Sequence, residues 1–263
     1  MRNKIKKFVM GALAILGIAA LLSGCGPTAT PVNTAVVQTS VDPIVTNILT
    51  SLNNNDYAGF SQSFSQTMKN AINKSAFDKF YSQMQTAVGD YQSDLFFSMT
   101  NKSGSVSVIY IAQYSKEPAG VSVSVTVQPV NSSYEVQGLV LSSPSLAGKP
   151  IDVSDLQSYA DLETENALVS LQNNDLAGFT KDFNQTMKKA MSQSAFSKLY
   201  KLMSSTVGDY QSKEFEIVTS TNNILTIEYY AQYSLEPAGV WVSISFDGSR
   251  KISGLYFNSP KLQ

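Results

Sequence analysis

The sequence has no histidine and only one cysteine among its 263 residues, and charged residues make up only 15% of it. Without histidine the chain can form neither a Ser-His-Asp or Cys-His catalytic group nor a histidine-ligated zinc site. A single cysteine excludes an intrachain disulfide and a cysteine-ligated metal cluster. We therefore expect no metal and no cofactor. Any acid–base chemistry would depend on residues such as aspartate and tyrosine.

The N-terminus has the pattern of a bacterial signal peptide over residues 1–24. Basic residues at positions 2, 4, 6 and 7 precede an apolar run from Phe8 to Leu22, which is shorter than the roughly 20 residues of a membrane span. The following Leu22-Ser23-Gly24-Cys25 resembles a lipobox, and this resemblance implies that Cys25 carries diacylglycerol and an amide-linked acyl chain such as palmitate. Several chains anchor a protein stably, because each buried CH₂ contributes about 0.8 kcal/mol.

The resemblance predicts a lipoprotein held at the cell membrane or outer membrane and facing away from the cytoplasm. The alternative is an uncleaved signal anchor with an incidental cysteine.

Four of the 19 basic residues and none of the 20 acidic residues lie before residue 25. The remaining chain has a formal charge of about −5 and no cluster of basic residues, so we expect it to bind no nucleic acid. Residues 25–41 lack hydrophobic periodicity and contain prolines, which is typical of a flexible tether.

The rest of the sequence is one domain written twice, at an offset of 119 residues that falls to 116 at the end, where Gly138-Leu139 pairs with Gly254-Leu255. Ser-Leu-Asn-Asn-Asn-Asp from position 51 returns as Ser-Leu-Gln-Asn-Asn-Asp from position 170, and Ala-Gln-Tyr-Ser from position 112 returns at 231. A repeat this long indicates duplication of a whole domain rather than a solenoid. We place the first domain at residues 42–146, a linker at 147–157 and the second domain at 158–263.

Each copy begins with helical periodicity and ends with strand periodicity. In copy one, Asp42-Pro43 is typical of a helix start, apolar residues at four-residue steps from Phe60 to Ile72 predict a second helix, and residues 75–78 resemble a capping box before a third. Alternating residues follow, with Glu117-Pro118-Ala119-Gly120 as a type I turn. The pattern predicts an α+β fold, in which about three helices pack on a four-stranded antiparallel sheet.

Both copies resemble the nuclear-transport-factor-2-like, or cystatin-like, cone fold. They are similar to a bacterial domain family of unknown function in that superfamily, through Asn-Asn-Asp before the second helix, Phe-x-x-x-Met-Lys within it, Gly-Asp-Tyr after the third and Ile-x-Gly-Leu-x-Phe at the end. Copy two keeps that ending at Ile252–Phe257, and copy one departs from it at Val136–Leu141. The resemblance implies two tandem cone-shaped domains with curved sheets. The family's domain often precedes an α/β-hydrolase, but this sequence contains no Gly-x-Ser-x-Gly elbow.

One repeated set of residues is the candidate pocket: Asp90, Tyr91 and Tyr114 in copy one, and Asp209, Tyr210 and Tyr233 in copy two. A carboxylate and a phenol beside an apolar cavity suffice for proton transfer, as in an isomerase of the same superfamily. The same residues are also typical of a helix exit and a sheet core, and both copies keep them, which favours a structural role. We therefore expect a non-catalytic module that binds an envelope protein or a small apolar ligand. A cofactor-free isomerase-like or hydrolase-like enzyme is the alternative, and a passive spacer is the third reading.

The outer face of the sheet differs between the copies. The outer face of copy one has Leu95, Phe97, Ile109 and Ile111, and the matching positions of copy two have Glu214, Glu216, Glu228 and Tyr230. A further position on this face is Ser122 in copy one and Trp241 in copy two. An apolar outer face indicates a covered surface. We predict that the two copies, or two chains as a homodimer, pack through this face, with Tyr230 and Trp241 as the contacts on copy two.

Overall fold

The computed structural model of the chain describes residues 34–102, 104–131, 133–221 and 224–262. Two domains follow each other in these ranges. Each has four helices of different lengths before a four-stranded antiparallel sheet. The predicted α+β class and the tandem arrangement are therefore confirmed. The predicted signal peptide, Cys25 and the first part of the predicted tether lie outside the described residues.

The two domains have the same order of elements. Domain one contains α1 (Thr34–Asn53), α2 (Tyr57–Ser61), α3 (Gln66–Ala71), α4 (Lys74–Ala87), β1 (Tyr91–Lys102), β2 (Ser105–Tyr114), β3 (Glu117–Val130) and β4 (Ser133–Ser142). Domain two contains α5 (Val153–Gln172), α6 (Leu176–Phe179), α7 (Gln185–Ala190), α8 (Gln193–Thr206), β5 (Tyr210–Thr221), β6 (Ile224–Tyr233), β7 (Glu236–Phe246) and β8 (Ile252–Asn258). Each sheet is a meander in sequence order. Among these helices, none combines the length and the apolar character that crossing a bilayer requires.

The first helix of domain one starts earlier than the sequence predicted. α1 begins at Thr34, so residues 34–41 of the predicted tether are helical, and Pro43 lies inside the helix rather than in its first turn. Val37 and Val41 are fully buried against the domain core. Their burial stabilises this extra length of helix, because most helical stability in proteins comes from tertiary packing.

The first helix of domain two also starts before its predicted boundary. α5 begins at Val153, inside the predicted linker of residues 147–157. The Asp152 carboxylate accepts a hydrogen bond from the Asp155 N–H at 3.1 Å and so caps the helix. The connection between the domains is therefore shorter than predicted.

The single second helix predicted in each copy is instead a pair of short helices. α2 ends at Ser61 and α3 begins at Gln66, and between them Phe64 forms a parallel bridge with Val136 of β4. The Ser65 N–H donates to the Val136 carbonyl at 3.0 Å. Hydrogen bonds to the sheet edge thus replace helical ones, although the four-residue spacing of buried side chains continues across the break.

The third predicted helix, α4, is capped two residues earlier than expected. The Asn73 side chain, rather than Ser75, accepts a hydrogen bond from the Ala76 N–H at 3.1 Å. At the other end Gly89 has a φ of +79°, the left-handed conformation that ends a helix at a glycine.

The turn between β2 and β3 lies at Ser115 and Lys116, not at the predicted Glu117–Gly120. Tyr114 pairs with Glu117, so the Glu-Pro-Ala-Gly segment belongs to β3. Glu117 is only 2% exposed, and its carboxylate accepts a hydrogen bond from the Ser143 hydroxyl at 2.6 Å. This buried carboxylate ties the end of the sheet to the segment after β4, a role that the turn preference of the sequence obscured.

Candidate functional site

The structure brings three residues of the candidate pocket together in domain two: Asp209, Tyr210 and Tyr233. They line a pocket of 40 Å³ between α5, α8 and the start of β5. The remaining lining residues are Leu168, Leu171, Gln172, Tyr200, Met203, Ser204 and Gly208. At about 10–15 Å³ for each water, the pocket has room for roughly three water molecules. It can take the end of one side chain rather than a whole substrate.

Two tyrosines form adjoining walls of this pocket. The ring centroids of Tyr210 and Tyr233 are 5.7 Å apart, and the ring planes meet at 61°. The Tyr210 hydroxyl donates a hydrogen bond to Glu165 Oε2 at 2.7 Å. Burial raises the pKa of both phenols well above the usual range, and the bond to Glu165 adds to the effect at Tyr210. Both tyrosines are therefore neutral hydrogen-bond donors at neutral pH.

The two candidate aspartates lie at the surface, at the turn between the last helix and the first strand of each domain. Asp90 and Asp209 are exposed. Their backbone N–H groups donate to the hydroxyls of Ser115 and Ser234 at 2.9 and 2.8 Å. These bonds fix the chain path into the sheet, which explains why both copies keep this turn.

Other carboxylates contact the buried phenols, and sequence reasoning missed them. The Tyr110 hydroxyl donates to Asp42 Oδ1 at 2.5 Å, and the Tyr229 hydroxyl donates to Asp161 Oδ1 at 2.6 Å. Asp42 and Asp161 occupy matching positions of the two copies, which was the available signal. The proline that follows Asp42 suggested a helix start instead.

The charges around these phenols differ between the domains. In domain two the Lys213 ammonium lies 3.9 Å from Asp161, 3.8 Å from Glu165 and 4.7 Å from the centroid of the Tyr229 ring. In domain one the residue that matches Lys213 is Asp94, which accepts a hydrogen bond from the Tyr91 hydroxyl. The same framework thus holds an ammonium group in one copy and a carboxylate in the other.

The residues of the predicted interface lie where the two domains meet, except for Ile109. Ile111, Ile217 and Trp241 form a buried cluster, against which Leu95, Phe97 and Tyr230 pack. The rings of Phe97 and Trp241 are 4.9 Å apart, and those of Tyr230 and Trp241 are 5.3 Å apart. Ile109 is half-buried and lies outside this cluster.

A β-bulge explains why Ile217 was not in the predicted set. In β5, Phe215 pairs with Tyr229 and Ile217 with Glu228, so Glu216 is an extra residue in the strand. A bulge interrupts the alternation of side chains, because two residues then oppose one on the neighbouring strand. Ile217 consequently joins the interdomain cluster, which strict alternation did not predict.

Backbone contacts tighten one side of the interface. The Gln113 side-chain amide donates to the Glu216 carbonyl oxygen at 2.7 Å. Gly120 has a φ of +76°, and a Cβ atom built on it would lie 2.6 Å from the same carbonyl oxygen. The glycine therefore permits both the left-handed backbone and the close approach of β5.

Tyr230 occupies the matching place on domain two. Its hydroxyl donates to the Ala238 carbonyl at 2.6 Å, and its ring covers Gly239, which corresponds to Gly120. In domain one a strand of the other domain covers this glycine, whereas in domain two a side chain of the same domain covers it. The interface is therefore asymmetric although the domains are repeats.

Two glutamates beside the interface have perturbed acidity. Burial raises the pKa of Glu228 to about 7, against the opposing effect of a hydrogen bond from Ser243. Burial also raises the pKa of Glu216, and the nearby Glu214 adds to that rise. Glu228 is thus protonated under mildly acidic conditions.

A protein-family model matches the chain twice, at residues 45–128 and 165–255, and its description is "Protein of unknown function (DUF3887)". The two matches fall on the two domains described above. No curated protein matches the chain, and no solved structure does.

Proposed function

The chain belongs to the DUF3887 family of proteins of unknown function, with one copy in each domain, and from that premise we propose a lipid-anchored, non-catalytic binding module of the cell envelope. The observation that carries the binding role is the 40 Å³ pocket of domain two, with apolar and phenolic walls and exposed residues at its mouth. We propose that it grips a protruding group of an envelope partner.

Two features support binding over the alternative of proton-transfer catalysis. The carboxylate that Tyr210 contacts, Glu165, already accepts its hydrogen bond. A pocket for roughly three waters cannot enclose a substrate of the size that isomerases or hydrolases act on.

The anchor rests on the sequence of residues 22–25, whose single cysteine stands where a lipobox requires it. We propose that Cys25 carries the acyl chains and holds the module at the cell membrane or the outer membrane. The acidic remainder of the chain supports neither nucleic-acid binding nor electrostatic attachment to anionic lipids. We also propose a relation to the nuclear-transport-factor-2-like superfamily, supported by helices that precede a four-stranded antiparallel meander.

Substitution of Cys25 by serine tests the anchor. We expect the unchanged chain to incorporate radiolabelled palmitate and to sediment with membranes, and Cys25→Ser to lose both properties. Retention of Cys25→Ser in membranes after washing with carbonate would mean that another segment holds the protein there.

A photo-cross-linking amino acid at the pocket mouth tests the binding role. We place it at position 204 of the full chain in intact cells, and at position 85, the matching site of domain one, as the control. We expect a discrete adduct from position 204 that is absent when Met203→Trp fills the pocket. Identical adducts from the open and the filled pocket would contradict binding through this site.

A further inference from the structure

We infer that the pocket of domain two receives a primary ammonium group at the end of a chain, as in a lysine side chain or an alkylamine. This inference rests on the proposed binding function and names the chemical group that the pocket takes. It is carried by the size of the pocket, by its aromatic walls and by the charges around it.

The size limits the ligand to the tip of a chain. With about 10–15 Å³ for each water-sized group, 40 Å³ holds roughly three heavy atoms. A primary ammonium nitrogen with one or two carbons meets this limit. A trimethylammonium group is wider than a primary ammonium group and fills more of this volume.

The walls attract a cation. The faces of tyrosine rings carry negative potential and bind ammonium groups within about 6 Å of the ring centroid. Tyr210 and Tyr233 both line the pocket, and their rings pack edge to face, so an ammonium group would lie against the face of one ring rather than between the two. The Tyr210 hydroxyl donates to the Glu165 carboxylate at 2.7 Å, and this charge-assisted bond enriches the ring in electron density.

The charge balance also favours a cation. The described residues that line the pocket include one carboxylate, Asp209, and no lysine or arginine. Behind the wall Glu165 lies 3.8 Å from Lys213, but the same ammonium lies 3.9 Å from Asp161. Behind the wall Asp161 and Glu165 thus outnumber Lys213, and Asp209 is the one charged side chain among the described lining residues.

The same domain already binds its own cations in this way. The Lys213 ammonium lies over the Tyr229 ring at 4.7 Å, next to two carboxylates. The Arg250 guanidinium lies over the Tyr159 ring at 4.8 Å and pairs with Asp155 at 3.0 Å. A tyrosine face with a nearby carboxylate is thus a recurrent cation site of this domain.

The mouth supplies acceptors for the three N–H donors of an ammonium group. Gln172, Ser204 and Asp209 are exposed residues among those that line the pocket. The Ser204 hydroxyl donates to the Lys201 carbonyl at 3.3 Å, and its oxygen can still accept a hydrogen bond. The ligand chain would leave the pocket between these residues.

Titration of the purified full chain with n-butylammonium chloride tests the inference, with the amide NMR signals of Asp209 and Tyr210 as the readout. n-Butanol is the uncharged control of equal length, and tetramethylammonium is the cationic control of excessive size. We expect saturable shifts with n-butylammonium and at least tenfold weaker binding of both controls. Equal binding of n-butanol, or no saturable shift with n-butylammonium, overturns the inference.

Charge-removing variants locate the site. Glu165→Gln and Asp209→Asn change exposed side chains, so both variants should keep the fold, and we expect each to weaken n-butylammonium binding at least fivefold. Asp90→Asn, the matching change in domain one, should leave these shifts unchanged. Equal effects of Asp90→Asn and Asp209→Asn would overturn the assignment to this pocket.

A terminally blocked peptide with a single lysine, and its twin with Nε-acetyl-lysine, distinguish a protein ligand from a small amine. Selective binding of the lysine peptide identifies a side chain as the natural source, and binding of n-butylammonium alone identifies a free amine. An adduct from position 204 without any amine binding would overturn the ammonium inference while leaving the proposed binding function in place.

Discussion

The rings of Phe97 and Trp241 meet at 81° with their centroids 4.9 Å apart, and this contact joins the first domain to the second. The residue that matches Phe97 in domain two is Glu216, and the residue that matches Trp241 in domain one is Ser122. Each domain therefore lacks the aromatic group that its partner supplies. This complementarity favours pairing of unlike copies, because two glutamate faces would repel each other and two serine sites would leave a gap.

Phe97→Glu should separate the domains without unfolding either of them. The change introduces the residue that domain two has at this position and removes an aromatic contact worth about 1–3 kcal/mol. Trp241 is the only tryptophan of the chain, so its fluorescence emission should shift to longer wavelength as it becomes exposed. Ile109→Glu, on the same face but outside the cluster, is the control and should leave the emission unchanged. An equal shift in both variants would place the interface elsewhere on the sheet.

Gly120→Ala should weaken the docking of β5 by more than the backbone strain alone. An added Cβ would lie 2.6 Å from the Glu216 carbonyl, and the φ of +76° adds about 1–2 kcal/mol for a residue with a side chain. Gly104→Ala provides the control, because Gly104 has a φ of +85° and nothing within 4 Å of the added atom. Urea unfolding should show a loss for Gly120→Ala at least 1 kcal/mol larger than that for Gly104→Ala. Equal losses would mean that β5 moves aside without cost.

Glu228 should make the chain less stable as the pH rises. Burial raises its pKa in the folded protein to about 7, above the usual value of 4.5. The folded state therefore holds a proton that the unfolded state releases, and the free energy of unfolding falls between about pH 4.5 and pH 7. Glu228→Gln removes this loss, so it should be about 1–3 kcal/mol more stable than the unchanged chain at pH 8 and equal to it near pH 4.

Ser243→Ala is the companion variant for this pH dependence. The Ser243 hydroxyl donates to Glu228 and lowers the pKa of that carboxyl. Its removal raises the pKa of Glu228 in the folded protein, so the stability loss should continue to higher pH while still beginning near pH 4.5. Thermal unfolding from pH 4 to pH 9 measures all three proteins, and a constant difference between Glu228→Gln and the unchanged chain would refute the raised pKa.

The hydrophobic periodicity predicted the helices and strands because it reports which face of each is buried, and the sequence repeat predicted the two domains. The alternation that includes Val108, Tyr110 and Ala112 falls on the buried face of β2. Matching strands of the two sheets are 119 residues apart, and 116 for the last strand. The start of α1 was missed although Val37 and Val41 continue the four-residue spacing of Val45 and Leu49, because Asp42-Pro43 has the pattern of a helix start. The break between α2 and α3 depends on β4, more than 60 residues away in the sequence.

The sequence predicted residues that line the pocket but not their hydrogen-bond partners. Asp209, Tyr210 and Tyr233 were identified and do line one pocket. The partner of Tyr210 is Glu165, which has a threonine at the matching position of copy one and therefore gave no repeated signal. Bulges hid Ile217 in the same way, because a single extra residue in a strand moves a side chain to the other face without changing the sequence pattern around it.

Ser143 and Ser259 occupy matching positions after the last strand of each domain, yet their removal should have different consequences. The Ser143 hydroxyl donates to the buried Glu117 carboxylate at 2.6 Å. Ser143→Ala leaves that carboxylate oxygen with one donor fewer and should cost about 1.5–3 kcal/mol, the usual value for a hydrogen bond to a charged group.

The Ser259 hydroxyl is also buried, but it has no hydrogen-bond partner among the residues that the structure describes. Glu236, the counterpart of Glu117, accepts a hydrogen bond from the Lys261 N–H at 3.2 Å, as Glu117 does from the Ser145 N–H at 2.9 Å. Ser259→Ala removes an unsatisfied buried hydroxyl, so it should be neutral or stabilise the chain by up to about 1 kcal/mol. Urea unfolding of the two single variants measures the contrast. Equal destabilisation by both would mean that Ser259 donates to Glu236 in solution, and that the two domains close their last strands in the same way.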